Sequence, residues 1–284
     1  MEKIIKFIKH TKLGQWFKRT RFCIFLKQSQ GDWRYPFMVI AWQLSRLIVP
    51  RKKIIIENVS FTLPCTNWIT HFRWYLFNIK EQEVRYYIDH YVREGDVFFD
   101  IGANIGVFSV YAGKLFKDIS IYCFEPEYSN LSILKENIIC NALADRTKIF
   151  SVAVGDFNGP TNLHIQDFTP GAAEHSEEKE PIAKTREGHK VVWSEGIMSA
   201  TIDSLCEHLD VIPNCIKIDT DSNEDKVLRG AEKMLSNKCL RSIILEMPND
   251  REKVFYCHER LSQAGFKAHW ADTEKTRNEI WVRT

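Results

Sequence analysis

The chain has 284 residues, 44% of them hydrophobic, and a formal net charge of +2. A chain of this length and composition can bury a full core, so we expect one large globular domain with an extension. Its eight cysteines are scattered, with neither a C-x-x-C pair nor a histidine at metal-ligand spacing. This pattern argues against a disulfide framework or a zinc site and is typical of reduced cytosolic thiols.

The first 53 residues are strongly basic, with 13 Lys and Arg against Glu2 and Asp32, a formal +11 that leaves −9 for the remainder. No stretch approaches the ~20 apolar residues that a membrane span needs. Lysines also interrupt the apolar residues too often for a secretory signal. We therefore expect a cytoplasmic protein, either freely soluble or peripheral at a membrane surface.

Residues 1–30 alternate apolar clusters with Lys and Arg, which predicts a basic amphipathic helix interrupted near Gly14. One interpretation is peripheral contact with an anionic membrane through Trp16, Phe17 and the positive charge. The other is a helix packed on the catalytic domain with a solvated basic face. In either case we assign residues 1–54 to a helical extension and residues 55–284 to the main domain.

Within the main domain, the hydrophobic pattern first predicts a hairpin or edge strand at 54–63 and a helix at 78–93. From Gly95 onward, strands alternate with helices. The predicted strands are VFFDIG (97–102), IYCFEP (121–126), TKIFSVAVG (147–155), NCIKIDTD (214–221) and RSIILEMP (241–248), and the predicted helices are 106–116, 128–140 and 224–235. This alternation predicts βαβ units in a mostly parallel sheet, which binds ligands at the carboxyl ends of its strands.

The stretch 167–198 is rich in Glu, Lys, Gly and Pro and has no periodicity. A connection of this length predicts an insertion or a lid loop. His175, His189 and Trp193 lie in it, and each is either a surface residue or a substrate contact.

The first strand of the alternating region runs into a turn with two glycines, DIGANIG (100–106). Glycine here lets the backbone approach a ligand and presents N–H groups at a helix N-terminus, although close helix–strand packing would select the same residues. Glu125 ends the next strand, 23 residues after Gly102, where a carboxylate can accept hydrogen bonds from ribose hydroxyls. Together these residues predict an adenosine-type cofactor.

The acidic residue before the turn decides which cofactor is expected. A dinucleotide site has the spacing G-x-G-x-x-G, so that a pyrophosphate can lie on the helix N-terminus. Here Asp100 would repel a phosphate but would suit the ammonium of a methionine moiety. S-adenosyl-L-methionine carries a cationic sulfonium and no phosphate, so acids around it are favourable.

From about residue 55 to the C-terminus, the sequence resembles the FkbM family of methyltransferases. The resemblance rests on GDVFFDIGANIGVFS (95–109), CFEPEYSNLSILKENIICN (123–141), VAVGDFNG (152–159), ATIDSL (200–205) with IKIDTDSNEDKVLRGAEKML (216–235), and IILEMP (243–248). It implies an α/β fold, that of a Rossmann-like class I methyltransferase with a mostly parallel seven-stranded sheet and helices on both faces. It also implies an O-methyltransferase that acts on hydroxyls of sugars or other small metabolites. The expected cofactor-binding residues are Asp100, Gly102, Ala103, Asn104, Gly106, Ser109, Glu125, Pro126, Ala153, Val154 and Asp219.

The sequence departs from the family at the end of the fourth strand of the alternating region. The family pattern K-[IV]-D-V-E-G is replaced by Lys217-Ile218-Asp219-Thr220-Asp221-Ser222. The family's Glu is shortened to Asp221, and its Gly becomes Ser222. Charge is therefore kept while reach and backbone freedom change.

Lys217, Asp219 and Asp221 alternate along this strand and are expected to share one face. They form either a structural ion pair or a catalytic site. In the second case Asp219 lies near the sulfonium, and Asp221 or Glu246 orients or deprotonates the acceptor hydroxyl. Lys217 would stabilise the forming alkoxide or set the acid's pKa. A divalent metal held by Asp219, Asp221 and Glu246 could replace Lys217, but the sequence does not require one.

The function expected from these residues is methyl transfer from S-adenosylmethionine to a sugar hydroxyl of a glycan, glycolipid or related metabolite. One alternative is an RNA 2′-O-methyltransferase, since the basic segment could bind phosphates. The −9 charge of the remainder argues against a nucleic acid partner. The other alternative is a non-enzymatic protein that binds S-adenosylmethionine.

Overall fold

The structure is a computed structural model that describes residues 51–77, 79–173, 175–178, 190–271 and 276–284, with Phe37, Ile40, Ala41 and Leu44. The chain divides into residues 1–50 and residues 51–284. The main domain thus begins at Arg51, four residues before the expected boundary, because a strand begins there. The amphipathic helix predicted for residues 1–30 lies outside the described residues. Within the described part of the chain, no helix is long and apolar enough to span a membrane.

The described residues form the following elements. The strands are β1 (Arg51–Ile56), β2 (Val59–Pro64), β3 (Asp96–Ile101), β4 (Ile119–Phe124), β5 (Thr147–Phe150), β6 (Ala153–Val154), β7 (Gly159–Ile165), β8 (Ser176–Glu178), β9 (Trp193–Ala200), β10 (Cys215–Ile218), β11 (Ser242–Glu246), β12 (Phe266–Ala271) and β13 (Asn278–Arg283). The helices are α1 (Trp68–Leu76), α2 (Gln82–Tyr91), α3 (Val107–Leu115), α4 (Tyr128–Cys140), α5 (Ile202–Leu209), α6 (Glu224–Arg229), α7 (Glu232–Ser236) and α8 (Arg251–Gln263).

The central sheet has seven strands in the order β12-β13-β11-β10-β3-β4-β5. The five strands from β11 to β5 are parallel, and β13 joins them antiparallel to both β11 and β12. Successive residues of a strand point to opposite faces of the sheet, so both faces carry apolar side chains, and helices cover both. Phe98 packs in one core with α2, α3 and α4, while Phe99 packs in the other with α5 to α8. These features confirm the predicted Rossmann-like α/β fold.

The order of the strands reverses direction at β3. From β3 the chain moves to β4 on one side and returns later to β10 on the other. In open α/β sheets the carboxyl ends of such a strand pair flank a crevice that binds ligands. The Gly102 turn after β3 and Asp219 after β10 therefore meet at the expected place.

Residues 147–155 form two strands rather than the single strand that was predicted. β5 belongs to the central sheet, whereas β6 pairs with β9 in a second sheet of order β6-β9-β7-β8. The predicted insertion 167–198 contributes β8 and the start of β9 to this sheet. The sequence pattern did not predict these strands, because β8 has only three residues and β9 is largely exposed or half-buried.

The helix predicted at 224–235 is also divided, into α6 and α7, at Gly230. A Cβ atom at Gly230 would lie 2.0 Å from the carbonyl oxygen of Gly155. The break therefore lets the α6–α7 junction contact the end of β6.

Candidate active site

The turn after β3 is held by the neighbouring strand. The backbone N–H groups of Gly102 and Ala103 both donate to the carbonyl oxygen of Phe124, at 3.0 and 3.1 Å. Gly102 has φ +70°, and a Cβ atom there would lie 1.7 Å from the carbonyl oxygen of Asp219. This position thus requires glycine because the turn contacts the end of β10. The approach is to protein backbone rather than to a ligand.

Gly106 has a packing role of the same kind. Its φ is +73°, and a Cβ atom there would lie 2.1 Å from Cδ1 of Leu134 on α4. The second glycine of the motif therefore lets α3 begin against α4. It does not line the cavity that is described below.

Asp100, which was predicted to bind the cofactor's ammonium, has its side chain buried in the core and outside the cavity wall. It is 1% exposed, accepts a hydrogen bond from the Ser109 hydroxyl at 2.5 Å and lies 3.2 Å from Nζ of Lys217. Ser109, another predicted cofactor contact, is fully buried beside it. Asp100 instead acts as the counter-ion of a buried lysine.

Lys217 links the ends of β3 and β10. Its Nζ atom lies 3.2 Å from Asp100 and 3.4 Å from Asp219, and it donates to the carbonyl oxygen of Gly102 at 3.3 Å. Burial disfavours its charge, but Asp100 and Asp219 outweigh burial and raise the pKa of Lys217 well above its usual value. Lys217 is 3% exposed and lies behind the cavity wall. Of the two predicted roles, this position suits the setting of the pKa of Asp219 better than contact with an alkoxide.

A cavity of about 720 Å³ opens at the carboxyl ends of the central strands. Nine of the predicted site residues line it: Gly102, Asn104, Glu125, Pro126, Ala153, Val154, Asp219, Asp221 and Glu246. Five do not, namely Asp100, Ala103, Gly106, Ser109 and Lys217. The volume lies within the ~300–1,000 Å³ of small-molecule and cofactor sites.

Glu125 is positioned in this wall by three hydrogen bonds. Oε2 accepts from the Asn104 N–H at 2.7 Å, and Oε1 accepts from the Glu127 N–H at 3.0 Å and from Nδ2 of Asn130 at 3.3 Å. Burial raises the pKa of Glu125 to about 7, against the effect of these donors. A carboxylate has about four lone-pair sites, so Glu125 can still accept from a hydroxyl.

Asp219 and Glu246 form a pair of interacting acids on the opposite side of the cavity. Burial opposes the ionised form of Asp219, but Lys217 and a hydrogen bond from Glu246 lower its pKa below the usual value. Burial and the Asp219 charge raise the pKa of Glu246 to about 9, although Arg277 lies 2.5 Å away. Arg277 is half exposed, so solvent weakens its effect. The pair therefore holds one proton near neutral pH.

The departure from the family pattern lies in a strained turn. Asp221 has φ +51° and Ser222 has φ +77°, and both values fall in the left-handed region that glycine adopts most easily. Asp221 lines the cavity, but its positive φ breaks the alternation of an extended strand, so it does not continue the face of Lys217 and Asp219. Oε1 of Glu224 fixes the turn by accepting from the N–H groups of Thr220 and Ser222.

Sequence reasoning missed several ionisable residues in the wall, among them Arg73 and Glu81. Burial and the charge of Asp219 raise the pKa of Glu81, while Arg73 opposes the shift. Both residues come from the region before β3. Glu81 lies in the helix predicted at 78–93, whereas Arg73 lies between the predicted elements. Glu81 is the residue before α2 and has φ +54°, which no motif indicated.

Residues 170–173 form a strap that is tied to both sides of the cavity. On one side Asn67 donates to Pro170 and Arg73 donates to Gly171, at 3.0 and 2.7 Å. On the other side Asn104 donates 2.7 Å to the carbonyl oxygen of Ala172, and Asn130 accepts from the Gly171 N–H at 2.7 Å. The strap belongs to the stretch predicted to contain an insertion or lid.

The three residues singled out in that stretch differ in placement. His175 is buried and lines the cavity beside Glu177. Trp193 is exposed at the start of β9 and is outside the wall. His189 lies outside the described residues.

A divalent metal at Asp219, Asp221 and Glu246 was considered from the sequence. Across the described ranges, no three His, Cys, Asp or Glu side chains are grouped so that they could hold a metal ion.

The methyltransferase FkbM domain matches residues 100–268, which is more than half of the chain. The chain belongs to the FkbM methyltransferase domain family. The match confirms the family inferred from the motifs, and it begins at Asp100, the first residue of the glycine turn. The cavity is thus the candidate active site of an FkbM domain.

Two curated relatives are similar in sequence. The 31-O-demethyl-FK506 methyltransferase FkbM of Streptomyces tacrolimicus is 28% identical over 172 residues, covering 52% of this chain and 65% of that protein. The tRNA (guanine(37)-N(1))-methyltransferase of Saccharomyces cerevisiae is 28% identical over 170 residues, covering 54% of this chain and 32% of that protein. This FkbM-domain chain therefore spans less than two thirds of the length of either relative.

Solved structures also resemble the chain. Precorrin-6y C5,15-methyltransferase from Geobacter metallireducens has a TM-score of 0.45 and 12% identity, covering 72% of this chain and 90% of that one. A putative rRNA-methylase from Clostridium thermocellum has a TM-score of 0.44 and 10% identity, covering 70% and 91%.

Proposed function

We propose that this FkbM-domain protein transfers a methyl group from S-adenosylmethionine to a hydroxyl of a sugar in a glycan, a glycolipid or a related metabolite. The observation that carries the proposal is the pair of Asp219 and Glu246 in the cavity wall. Asp219 keeps its charge because Lys217 lowers its pKa, whereas the pKa of Glu246 is raised to about 9. Two neighbouring acids with separated pKa values are typical of a site where one holds charge and the other moves a proton.

The described wall fits S-adenosylmethionine better than a dinucleotide. Asp219 keeps its charge in this wall, and its carboxylate would repel a pyrophosphate but attract a cation. Glu125 would hold the ribose hydroxyls, Asp219 would face the positive charge, and the apolar side chains of Phe124 and Val154 would pack against the adenine. When bound, the cofactor supplies an electrophilic methyl group.

The chain's own residues then perform two tasks. Lys217 holds the Asp219 carboxylate at the end of β10, where it favours positive charge in the cavity. Glu246, once ionised, accepts the proton of the acceptor hydroxyl. Most of the remaining rate enhancement comes from holding the reacting groups in line, which the rigid ends of β3, β10 and β11 provide.

Other residues of the cavity wall support the nature of the acceptor. Trp68 and Phe72 supply aromatic surface, and Arg73 and Arg277 supply hydrogen-bond donors. Apolar faces combined with a few oriented polar groups suit a polyhydroxylated ring. The name of one relative also refers to methylation at an oxygen atom.

The test is methyl transfer to glycan acceptors by the purified protein, with labelled S-adenosylmethionine, for the wild type and the Asp219→Asn variant. The proposal expects labelled ether product from the wild type and its loss in the variant. Asp210→Asn, an exposed carboxylate outside the cavity, is the matched control and should keep full turnover. Full turnover by Asp219→Asn would refute the assigned site. Cofactor binding in calorimetry without transfer to any acceptor would favour the non-enzymatic alternative.

RNA methylation is the second candidate, and the similarity to a tRNA methyltransferase favours it. The ionised Asp219 in the wall argues against it, since its charge would repel a phosphate backbone. A filter-binding assay distinguishes the two, because RNA as the substrate requires tight, salt-dependent binding.

A further inference from the structure

Helix α1 exposes its apolar side, which a surface helix normally packs against the core. Four large apolar side chains follow one another at helical spacing along α1 and its following turn: Trp68, Phe72, Tyr75 and Ile79, exposed by 69, 44, 61 and 59%. We call these four residues the α1 stripe. The residue that α1 buries completely is Thr70. This reverses the usual amphipathic pattern, and exposed apolar patches of this kind mark interaction surfaces.

Basic side chains flank the α1 stripe. Nζ of Lys80 lies 5.5 Å from the centre of the Phe72 ring, and Nζ of Lys52 lies 5.2 Å from the centre of the Trp74 ring. Both lysines are on the rim of the apolar surface, where a long side chain can keep its charge in water while its stem covers aromatic carbon.

The first described strand brings further basic residues to the same helix. Strand β1 begins with Arg51, Lys52 and Lys53, and the Trp74 indole N–H donates to the carbonyl oxygen of Lys53 at 3.2 Å. Basic residues of β1 thus lie next to helix α1.

We propose that the α1 stripe docks on the surface of an anionic lipid bilayer. Tryptophan and tyrosine favour the membrane–water interface, because their rings are amphipathic. Basic residues near the bilayer surface are attracted to anionic lipid. Since Trp68 and Phe72 also line the cavity, docking turns the mouth of the cavity toward the bilayer. The acceptor would then be an amphiphile whose polar head group reaches the cavity from the lipid surface.

The test uses the full-length protein and vesicles of phosphatidylcholine with and without phosphatidylglycerol. Sedimentation with the vesicles is expected only when phosphatidylglycerol is present. The Tyr75→Ser/Ile79→Ser double variant removes half of the α1 stripe without touching the cavity wall, and it should bind roughly tenfold more weakly. Phe255→Ser on α8 is the matched control, since Phe255 is 68% exposed at another surface and should not alter vesicle binding.

Several outcomes would overturn the proposal. The first is wild-type protein whose vesicle binding does not depend on phosphatidylglycerol. The second is a double variant that binds the vesicles as tightly as the wild type. The third is a Phe255→Ser control whose binding is weakened as much as that of the double variant. A wild-type dimer in sedimentation velocity that the double variant dissociates, without vesicle binding, would assign the α1 stripe to self-association. If the double variant does not fold, Tyr75→Ser alone answers the same question. Because the readout is lipid binding, the result is independent of methyl transfer, and calorimetry with S-adenosylmethionine separates the two.

Discussion

Nζ of Lys217 lies 3.4 Å from the carboxylate of Asp219, and the lysine is almost completely buried. Lys217 also binds Asp100 and the carbonyl oxygen of Gly102. It therefore links Asp219, which faces the cavity, to the end of the neighbouring strand β3. The charge of Asp219 is thus set by a lysine that lies behind the cavity wall.

Replacing Lys217 with Met should lower the free energy of unfolding by about 3–5 kcal/mol, since it leaves Asp100 buried without its cation. The measurement is chemical denaturation. The Asp100→Asn/Lys217→Met double variant should be more stable than Lys217→Met alone, which distinguishes a lost ion pair from lost packing. Glu232→Gln, which breaks an exposed contact with Arg260, should change stability by less than about 1 kcal/mol.

Gly102→Ala should destabilise the protein by at least about 2 kcal/mol and abolish cofactor binding. The added methyl group would collide with the Asp219 carbonyl at a position of positive φ. Thermal unfolding and calorimetry with S-adenosylmethionine check both effects. Gly196→Ala is the control, because no atom lies within 4 Å of a Cβ there. Equal behaviour of the two variants would contradict the proposed contact between the turn and β10.

Ser222→Gly should stabilise the protein by about 1 kcal/mol, because glycine removes the strain of φ +77°. This change restores the residue of the family pattern. Ser262→Gly in helix α8 should have the opposite sign, with a loss of about 0.5–1 kcal/mol. Denaturant midpoints of both variants give the comparison, and destabilisation by Ser222→Gly would show that the turn is not strained.

The raised pKa of Glu246 predicts a pH dependence of both stability and activity. Its folded pKa of about 9 exceeds the ordinary 4.5, so the folded state binds an extra proton between these values. Stability should therefore fall as the pH rises through this window, and Glu246→Gln should flatten the slope. In the free enzyme, kcat/KM should rise with pH toward about 9, with an apparent pKa that belongs to the Asp219–Glu246 pair.

Glu246→Gln should also lower kcat roughly 100- to 10,000-fold if Glu246 is the base. An unchanged pH profile in this variant would remove Glu246 from that role. The sequence predicted Asp221 as the other possible base, and Asp221 also lies in the cavity wall. The Asp221→Asn variant tests that role.

The central sheet could be predicted because buried strands ending in Gly or Asp alternate with helices, as in VFFDIG (97–102). The second sheet could not, because β6 and β8 have only two or three residues. Motif order also located the cavity, with Glu125 and Asp219 in its wall. It misplaced Asp100 and Lys217, since spacing shows that two charges share a strand face but not that they neutralise each other inside the core. Arg73 and Glu81 were missed because they approach from a helical region without a motif.

The central claim is methylation of a sugar hydroxyl at the Asp219–Glu246 pair. Mass spectrometry of glycans tests it most directly, with cells that carry the gene, lack it, or carry the Asp219→Asn form. The account predicts that one sugar residue loses a methylene unit of mass both when the gene is absent and when Asp219 is replaced. Identical glycan masses in all three, from cells in which the wild-type protein is folded and binds S-adenosylmethionine, would contradict it.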